Sequence, residues 1–154
     1  MTGLFCFGSI IIPTKLVGFK YMMFTTKTEY GMRAMVALVK ADKNNPLSLA
    51  QIAKEEHISQ AYLERLFKKL KADDLVKSVS GAGGGYYLSR NPKSINMFEI
   101  VEALDGPLSV FYCMSSEQRK MVCTPAKCLT KQVWHELQKN VVHTLRSFTL
   151  ADLV

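Results

Sequence analysis

From Thr28 to Lys40 the apolar residues Tyr30, Ala34, Met35, Ala37 and Leu38 recur at roughly helical spacing, which predicts an amphipathic helix with one face on a core. Asp42 to Pro46 breaks the pattern. Ser48-Leu-Ala-Gln51 has the form of a capping box and opens a short helix whose Leu49, Ile52 and Ala53 face inward. His57-Ile58 interrupts it. Ser59 is then placed to cap a longer helix, reaching about Ala72, with Leu63, Leu66, Phe67 and Leu70 as its buried stripe. The opposite face carries Gln60, Ala61, Tyr62, Arg65, Lys68, Lys69 and Lys71. Two helices joined tightly, the second polar and basic outside, fit a helix-turn-helix whose second helix enters the major groove of DNA.

Leu75–Val79 and Tyr86–Ser89 alternate as strands around Gly81-Ala-Gly-Gly-Gly85, a hairpin expected to form the wing beside that helix. The glycines resemble a phosphate loop, but no Gly-Lys-Ser/Thr follows and the next element reads as a strand, which favours a wing that approaches the DNA backbone. Asn91-Pro92 turns the chain. Asn96 and Glu99 form a second capping pair, opening a helix through Ile100, Val101, Ala103 and Leu104 that stops at Asp105-Gly-Pro107. Beyond a polar stretch, Val133, Trp134, Leu137, Val141, Leu145 and Phe148 form the stripe of a long helix suited to pairing with a second subunit. The fold class is therefore mainly α (α+β): a winged helix-turn-helix with a long C-terminal dimerisation helix.

The chain has 154 residues, 48% hydrophobic and 21% charged, enough for one globular unit rather than a disordered or fibrous protein. Lys and Arg outnumber Asp and Glu by 20 to 13, and the excess favours a polyanionic partner. An anionic membrane surface would suit the same charge. The opening residues MTGLFCFGSIIIPTKLVGFKY are apolar as far as Ile12, too short a run to span a bilayer, and they have neither a basic start nor a clear cleavage site. Residues 1–21 are expected to be a poorly ordered extension, or to precede a true start at Met22 or Met23, and no function is assigned to them.

Three of the four cysteines, Cys113, Cys123 and Cys128, lie in the polar stretch, separated by nine and four intervening residues, with Thr124-Pro125 supplying a turn. That clustering suits metal or redox chemistry in a reducing cytoplasm better than a disulfide framework. Zinc and iron-sulfur clusters both select thiolate, so cysteine type alone leaves them open. A zinc-stabilised interaction module would add His135 to the three thiols. An enzyme is disfavoured: there is no His-Glu-x-x-His, no phosphate loop with its lysine and no nucleophile elbow.

From Met22 to Val154 the chain resembles the IscR/NsrR family of winged-helix regulators, dimeric bacterial transcription factors that often carry an iron-sulfur cluster. The likeness rests on Thr-Lys-Thr-Glu-Tyr30, Ile58-Ser-Gln-Ala-Tyr-Leu-Glu-Arg-Leu-Phe67, Gly81-Ala-Gly-Gly-Gly-Tyr86 and Lys127-Cys-Leu-Thr-Lys-Gln-Val-Trp134. It implies a cluster, 2Fe-2S or 4Fe-4S, on Cys113, Cys123 and Cys128. Where the IscR branch places a histidine three residues after the last cysteine this chain has Lys131, a protonated donor and a poor ligand. The NsrR branch uses an aspartate from the first helix of the partner subunit, and Glu29 stands at the matching position. The alternative role for Glu29 is a solvated helix-start acid favoured by the helix dipole.

The resemblance implies a cytoplasmic homodimer that reads a near-palindromic site in double-stranded DNA, with iron-sulfur status, nitric oxide or redox state as signal. Residues 22–105 form the DNA-binding domain, 106–130 the cysteine loop and 131–154 the dimerisation helix and tail. Ser59, Gln60, Ala61, Tyr62, Arg65, Lys68 and Lys69 are the expected DNA contacts, with Gly83 and Gly84 in the wing. Glu64 either accepts a hydrogen bond from cytosine or pairs with Lys68. Between Met22 and Arg90 eleven Lys/Arg face seven Asp/Glu, so binding should weaken as salt rises. A cluster-free regulator of the same fold, responding to thiol oxidation or a partner protein, is the alternative.

Overall fold

The computed structural model describes residues 24–41, 46–81, 83–110 and 128–154. Helix α1 spans Thr26–Lys40, α2 Leu49–Glu56 and α3 Gln60–Ala72; strands β1 (Val76–Val79) and β2 (Gly85–Leu88) follow, then a 3₁₀ turn, Pro92–Ser94, α4 (Met97–Asp105), α5 (Lys131–Ser147) and a final 3₁₀ turn, Leu150–Leu153. This is the mainly helical winged helix-turn-helix expected. The expected 1–21 extension, together with residues 22 and 23, Cys113 and Cys123, lies outside the described residues.

Helix α1 begins two residues before the expected Thr28, because Thr25 is its cap and accepts from the Lys27 amide at 3.2 Å. Both capping boxes form. Ser48 Oγ accepts from the Gln51 amide at 3.2 Å while Gln51 Oε1 accepts from the Ser48 amide at 3.0 Å; Asn96 and Glu99 exchange the equivalent bonds at 3.1 and 2.9 Å. His57, in the left-handed region at φ 54°, ends α2. Ser59 departs from expectation. Its side chain makes no cap bond, and α3 starts on its backbone carbonyl, which accepts from Tyr62 and Leu63 at 3.0 Å each.

The core lies where α1, α3 and α4 meet. Met35, Ile52, Leu63, Phe67, Leu70, Ile100 and Leu104 are all fully buried, and each of the larger ones contributes about 1.5–3 kcal/mol by leaving water. Helix α1 packs on α4. A β-carbon on Gly31 would lie 2.1 Å from Leu104 Cδ1, so a larger residue there requires the Leu104 side chain to move.

The wing is an antiparallel hairpin in the register Val76↔Leu88, Lys77↔Tyr87, Ser78↔Tyr86 and Val79↔Gly85. Leu47 adds a third, single bridge to Tyr86, whose ring meets Phe67 edge-on at 4.7 Å. The wing is thus fixed to the core side of α3.

Helix α5 buries none of its own residues. In its stripe Val133 and Leu137 are exposed and Trp134, Val141 and Leu145 half-buried. The chain then returns to the first domain: Thr149 bridges Asn96, the Leu150 amide donates to the Ile95 carbonyl at 2.9 Å, and Leu150 is fully buried. No helix among the described residues is long and apolar enough to cross a membrane.

Candidate nucleic-acid interface and sensor cysteine

The buried stripe of α3 turns Gln60, Ala61, Glu64, Arg65, Lys68, Lys69 and Lys71 to solvent. Near its leading end Gln60 donates to Glu64 at 3.2 Å, and Arg65 donates from Nε to the Ala61 carbonyl at 3.3 Å while its guanidinium lies 5.7 Å from the Tyr62 ring centre. Lys68 has no ion-pair partner among the described residues; the Glu64–Lys68 pair does not form. Tyr62, expected on the outer face, is half-buried and meets Tyr30 of α1 edge-on at 5.9 Å. Its position, between the polar face and the stripe, supports Arg65 from below.

The two basic residues near the end of α3 are committed elsewhere. Lys69 Nζ donates to the Leu104 carbonyl at the end of α4 at 2.6 Å. Lys71 Nζ donates to Ser78 Oγ of β1, also at 2.6 Å, and so fastens the wing to the helix. At the wing tip Gly83 sits at φ +84°, where side chains are strained, and a β-carbon on Gly84 would meet the Val79 carbonyl oxygen at 2.4 Å. Gly83 and Gly84 therefore present bare backbone, the surface that suits close approach to phosphate.

Cys128 stands just before α5, half-buried and unpaired. Its Sγ lies 3.4 Å from Thr130 Oγ1, which also accepts from Trp134 Nε1 at 3.1 Å. The Thr130 hydroxyl and amide, helped by the amide and charge of Lys131, outweigh burial and hold this thiol below the ordinary cysteine range. Glu29 is exposed in the first turn of α1 with its carboxylate 3.9 Å from Arg33. Arg33 also donates to the Glu56 carboxylate at 2.9 Å and the Glu56 carbonyl at 2.5 Å, joining α1 to the end of α2. Among the described residues no three His, Cys, Asp or Glu side chains of one chain come together; His135 is exposed on α5.

The pattern of residues did not disclose Asp105. Its Oδ2 accepts from the Thr25 amide at 3.1 Å and from Thr28 Oγ1 at 2.5 Å, and Oδ1 accepts from Thr25 Oγ1 at 2.6 Å. Burial pushes this carboxyl up, but the bonds from Thr25 and Thr28 and the Lys27 charge together hold it below the usual range. Asp-Gly-Pro signals a helix stop; only the fold shows that the stop also caps α1.

The Rrf2 family model, described as an iron-dependent transcriptional regulator, matches residues 24–154. The chain belongs to the Rrf2 family. It is 36% identical over 134 residues to the helix-turn-helix transcriptional regulator IscR of Klebsiella pneumoniae, covering 86% of this chain and 80% of that protein. Among solved structures it is similar to CymR, the global cysteine regulator of B. subtilis, with a TM-score of 0.70 and 35% identity over 84% of this chain and 94% of that one. The T. potens IscR structure matches with a TM-score of 0.66 and 34% identity over 88% of each chain. Rrf2 proteins are DNA-binding transcriptional regulators and not enzymes, in agreement with the sequence reading.

Proposed function

We propose that this Rrf2 regulator binds a near-palindromic site in double-stranded DNA as a homodimer, and that an iron-sulfur cluster on Cys113, Cys123 and Cys128 controls the binding. The observation that carries the DNA contact is the outer face of α3. Gln60, Ala61, Arg65 and Lys68 are exposed together beside the wing, with Ser59 at the leading end and Tyr62 supporting Arg65. Arg65 and Lys68 contact phosphate or base edges, and Gly83 and Gly84 bring wing backbone to the adjacent phosphates. The stripe of α5, with Val133 and Leu137 exposed and Trp134, Val141 and Leu145 only half-buried, supports dimerisation, since a helix with one apolar side and nothing of its own fully buried needs a cover. In this reading 22–105 reads DNA, 106–130 senses, and 131–154 pairs the subunits.

Cys128 fits a cluster ligand: its thiol is biased toward the thiolate that iron takes, and it is half-exposed at the start of α5. Cys113 and Cys123 complete the set by position, and Glu29, solvent-facing on α1, serves as the fourth ligand from the partner subunit. The cluster supplies redox-active, thiolate-bound iron, 2Fe-2S or 4Fe-4S. This chain's own part is mechanical. Holding Cys128 fixes the first turn of α5, and α5 packs on α4, which packs on α1 and α3. Coupling of this kind is worth about 1–3 kcal/mol, or about 5- to 150-fold in operator affinity.

A cluster-free reading is favoured by two observations: a half-exposed thiol whose pKa is lowered by the Thr130 hydrogen bonds, such as Cys128, also suits oxidation, and the similar CymR is a cysteine regulator. The test is fluorescence anisotropy, under anaerobic conditions, on a duplex that the protein selects from a random-sequence pool. Loaded and metal-stripped protein should differ in affinity, and Cys128→Ser should abolish the difference. Equal affinities for both forms, with thiol oxidation alone changing binding, would favour the cluster-free regulator.

A further inference from the structure

The last turn of α4 is where three other helices meet. The final carbonyls of a helix have no partner within it, and the negative end of the helix dipole favours a cation there. Within α4 the Glu102 carbonyl is satisfied by the Gly106 amide at 2.9 Å. The Leu104 carbonyl is satisfied from outside, by Lys69 Nζ of the DNA-reading helix α3 at 2.6 Å. Asp105 holds the start of α1 through Thr25 and Thr28. Just beyond, Gln138 of α5 accepts from the Val110 amide at 2.8 Å and donates to the Leu108 carbonyl at 2.7 Å. A displacement of the chain after Asp105 therefore reaches α3 by one direct polar contact.

We infer that Lys69 is a positioning residue rather than a DNA contact: it ties α3 to the end of α4, so that DNA occupancy and the conformation of Gly106–Val110 bias each other. The inference rests on the DNA-reading role of α3 proposed above. Two arguments favour it over a phosphate contact. A lysine that served phosphate would have to abandon a short bond and leave the Leu104 carbonyl unpaired in a partly buried place. Lys68, its neighbour, is equally exposed but makes no ion pair among the described residues, so it is the one placed to offer its charge to phosphate. Because coupling between two sites is reciprocal, DNA bound to α3 must be felt at the α4 terminus as strongly as the terminus is felt at the DNA.

The test compares wild type, Lys69→Met and Lys69→Arg by amide hydrogen exchange over residues 104–110, with and without the duplex selected by the wild-type protein, and by the salt dependence of affinity for that duplex. Arginine keeps a cation that reaches the Leu104 carbonyl; methionine keeps the length without the donor. The duplex should slow exchange over 104–110 in wild type and Lys69→Arg but not in Lys69→Met, while the slope of log affinity against log salt stays the same in all three. A slope reduced by about one in Lys69→Met would make Lys69 a phosphate contact and overturn the inference. Equal slowing in Lys69→Met would overturn it as well. If the wild-type protein selects no duplex, the DNA-reading proposal fails by itself; DNA-free exchange at Gly106, expected to be faster in Lys69→Met, still decides whether the tether exists.

Discussion

Replacing Asp105 by asparagine removes a charge and nothing else of size, and the structure says what that charge does. The carboxylate accepts three hydrogen bonds, from the Thr25 amide, the Thr25 hydroxyl and the Thr28 hydroxyl, and lies 3.8 Å from Lys27. Its side chain is 10% exposed, so solvent screens it little. Bonds to an ionised acceptor contribute about 1.5–3 kcal/mol each against about 0.5–1.5 for neutral ones. An amide oxygen in the Oδ2 position keeps two of the three bonds in weakened form. Each kept bond then loses about 1 kcal/mol; the third is lost, but the neutral amide is less costly to bury than the carboxylate, and the half-exposed Lys27 pair adds only a few tenths. Asp105→Asn should cost about 2 kcal/mol at pH 7, measured by urea unfolding at one fixed protein concentration.

The pH dependence makes the reasoning refutable. The folded carboxyl lies below its unfolded value, so the unfolded chain holds the proton more tightly and native stability rises with pH across that window. The contribution is complete above the unfolded value of about 3.9 and is lost as pH falls through the lower folded value. The gap between wild type and Asp105→Asn should therefore close as pH falls below about 4, where protonated Asp105 resembles the amide. A gap that stays constant from pH 7 down to about 3 would show that the charge is not what holds α1, whatever its size.

Three further outcomes are expected. Arg65→Ala should weaken operator binding and lower the salt slope by about one without changing the urea midpoint, as anisotropy and unfolding together will show. Gly84→Ala should strain the wing by about 1–3 kcal/mol, because its β-carbon meets backbone at Val79; exchange across β1 and β2 should rise and DNA affinity fall while α1 and α4 stay protected. Glu29→Gln should alter cluster content or visible spectrum; an unchanged spectrum at full iron content would remove Glu29 from the ligand set.

What the sequence discloses is what is decided locally. The α3 stripe, the Ser48 and Asn96 capping boxes and the glycine hairpin are set by residues within a few positions of one another, and each forms as read. Helix α1 starts at Thr26 rather than Thr28 because Thr25 caps it, and Asp105, far along the chain, holds Thr25 and Thr28 together. Tyr62 is half-buried rather than fully exposed because it sits at the boundary between two faces, and the contact with Tyr30 of α1 covers one side of it. Lys69 looks like its neighbour Lys68 in sequence. It differs because the end of α4, distant in sequence, packs against α3 and sets the Leu104 carbonyl within reach of the Lys69 amine. The sensor chemistry is read from spacing and resemblance, with Cys128 alone among the three thiols given a described environment.

The proposed iron-sulfur cluster is tested most directly by the composition of this Rrf2 protein after anaerobic purification: iron, acid-labile sulfide, zinc and the visible spectrum on one sample. The account predicts brown protein with iron and sulfide in equal amounts and a charge-transfer band, both lost in Cys128→Ser. Colourless protein free of iron and sulfide would contradict it, and zinc alone would make the cysteine segment a structural clip.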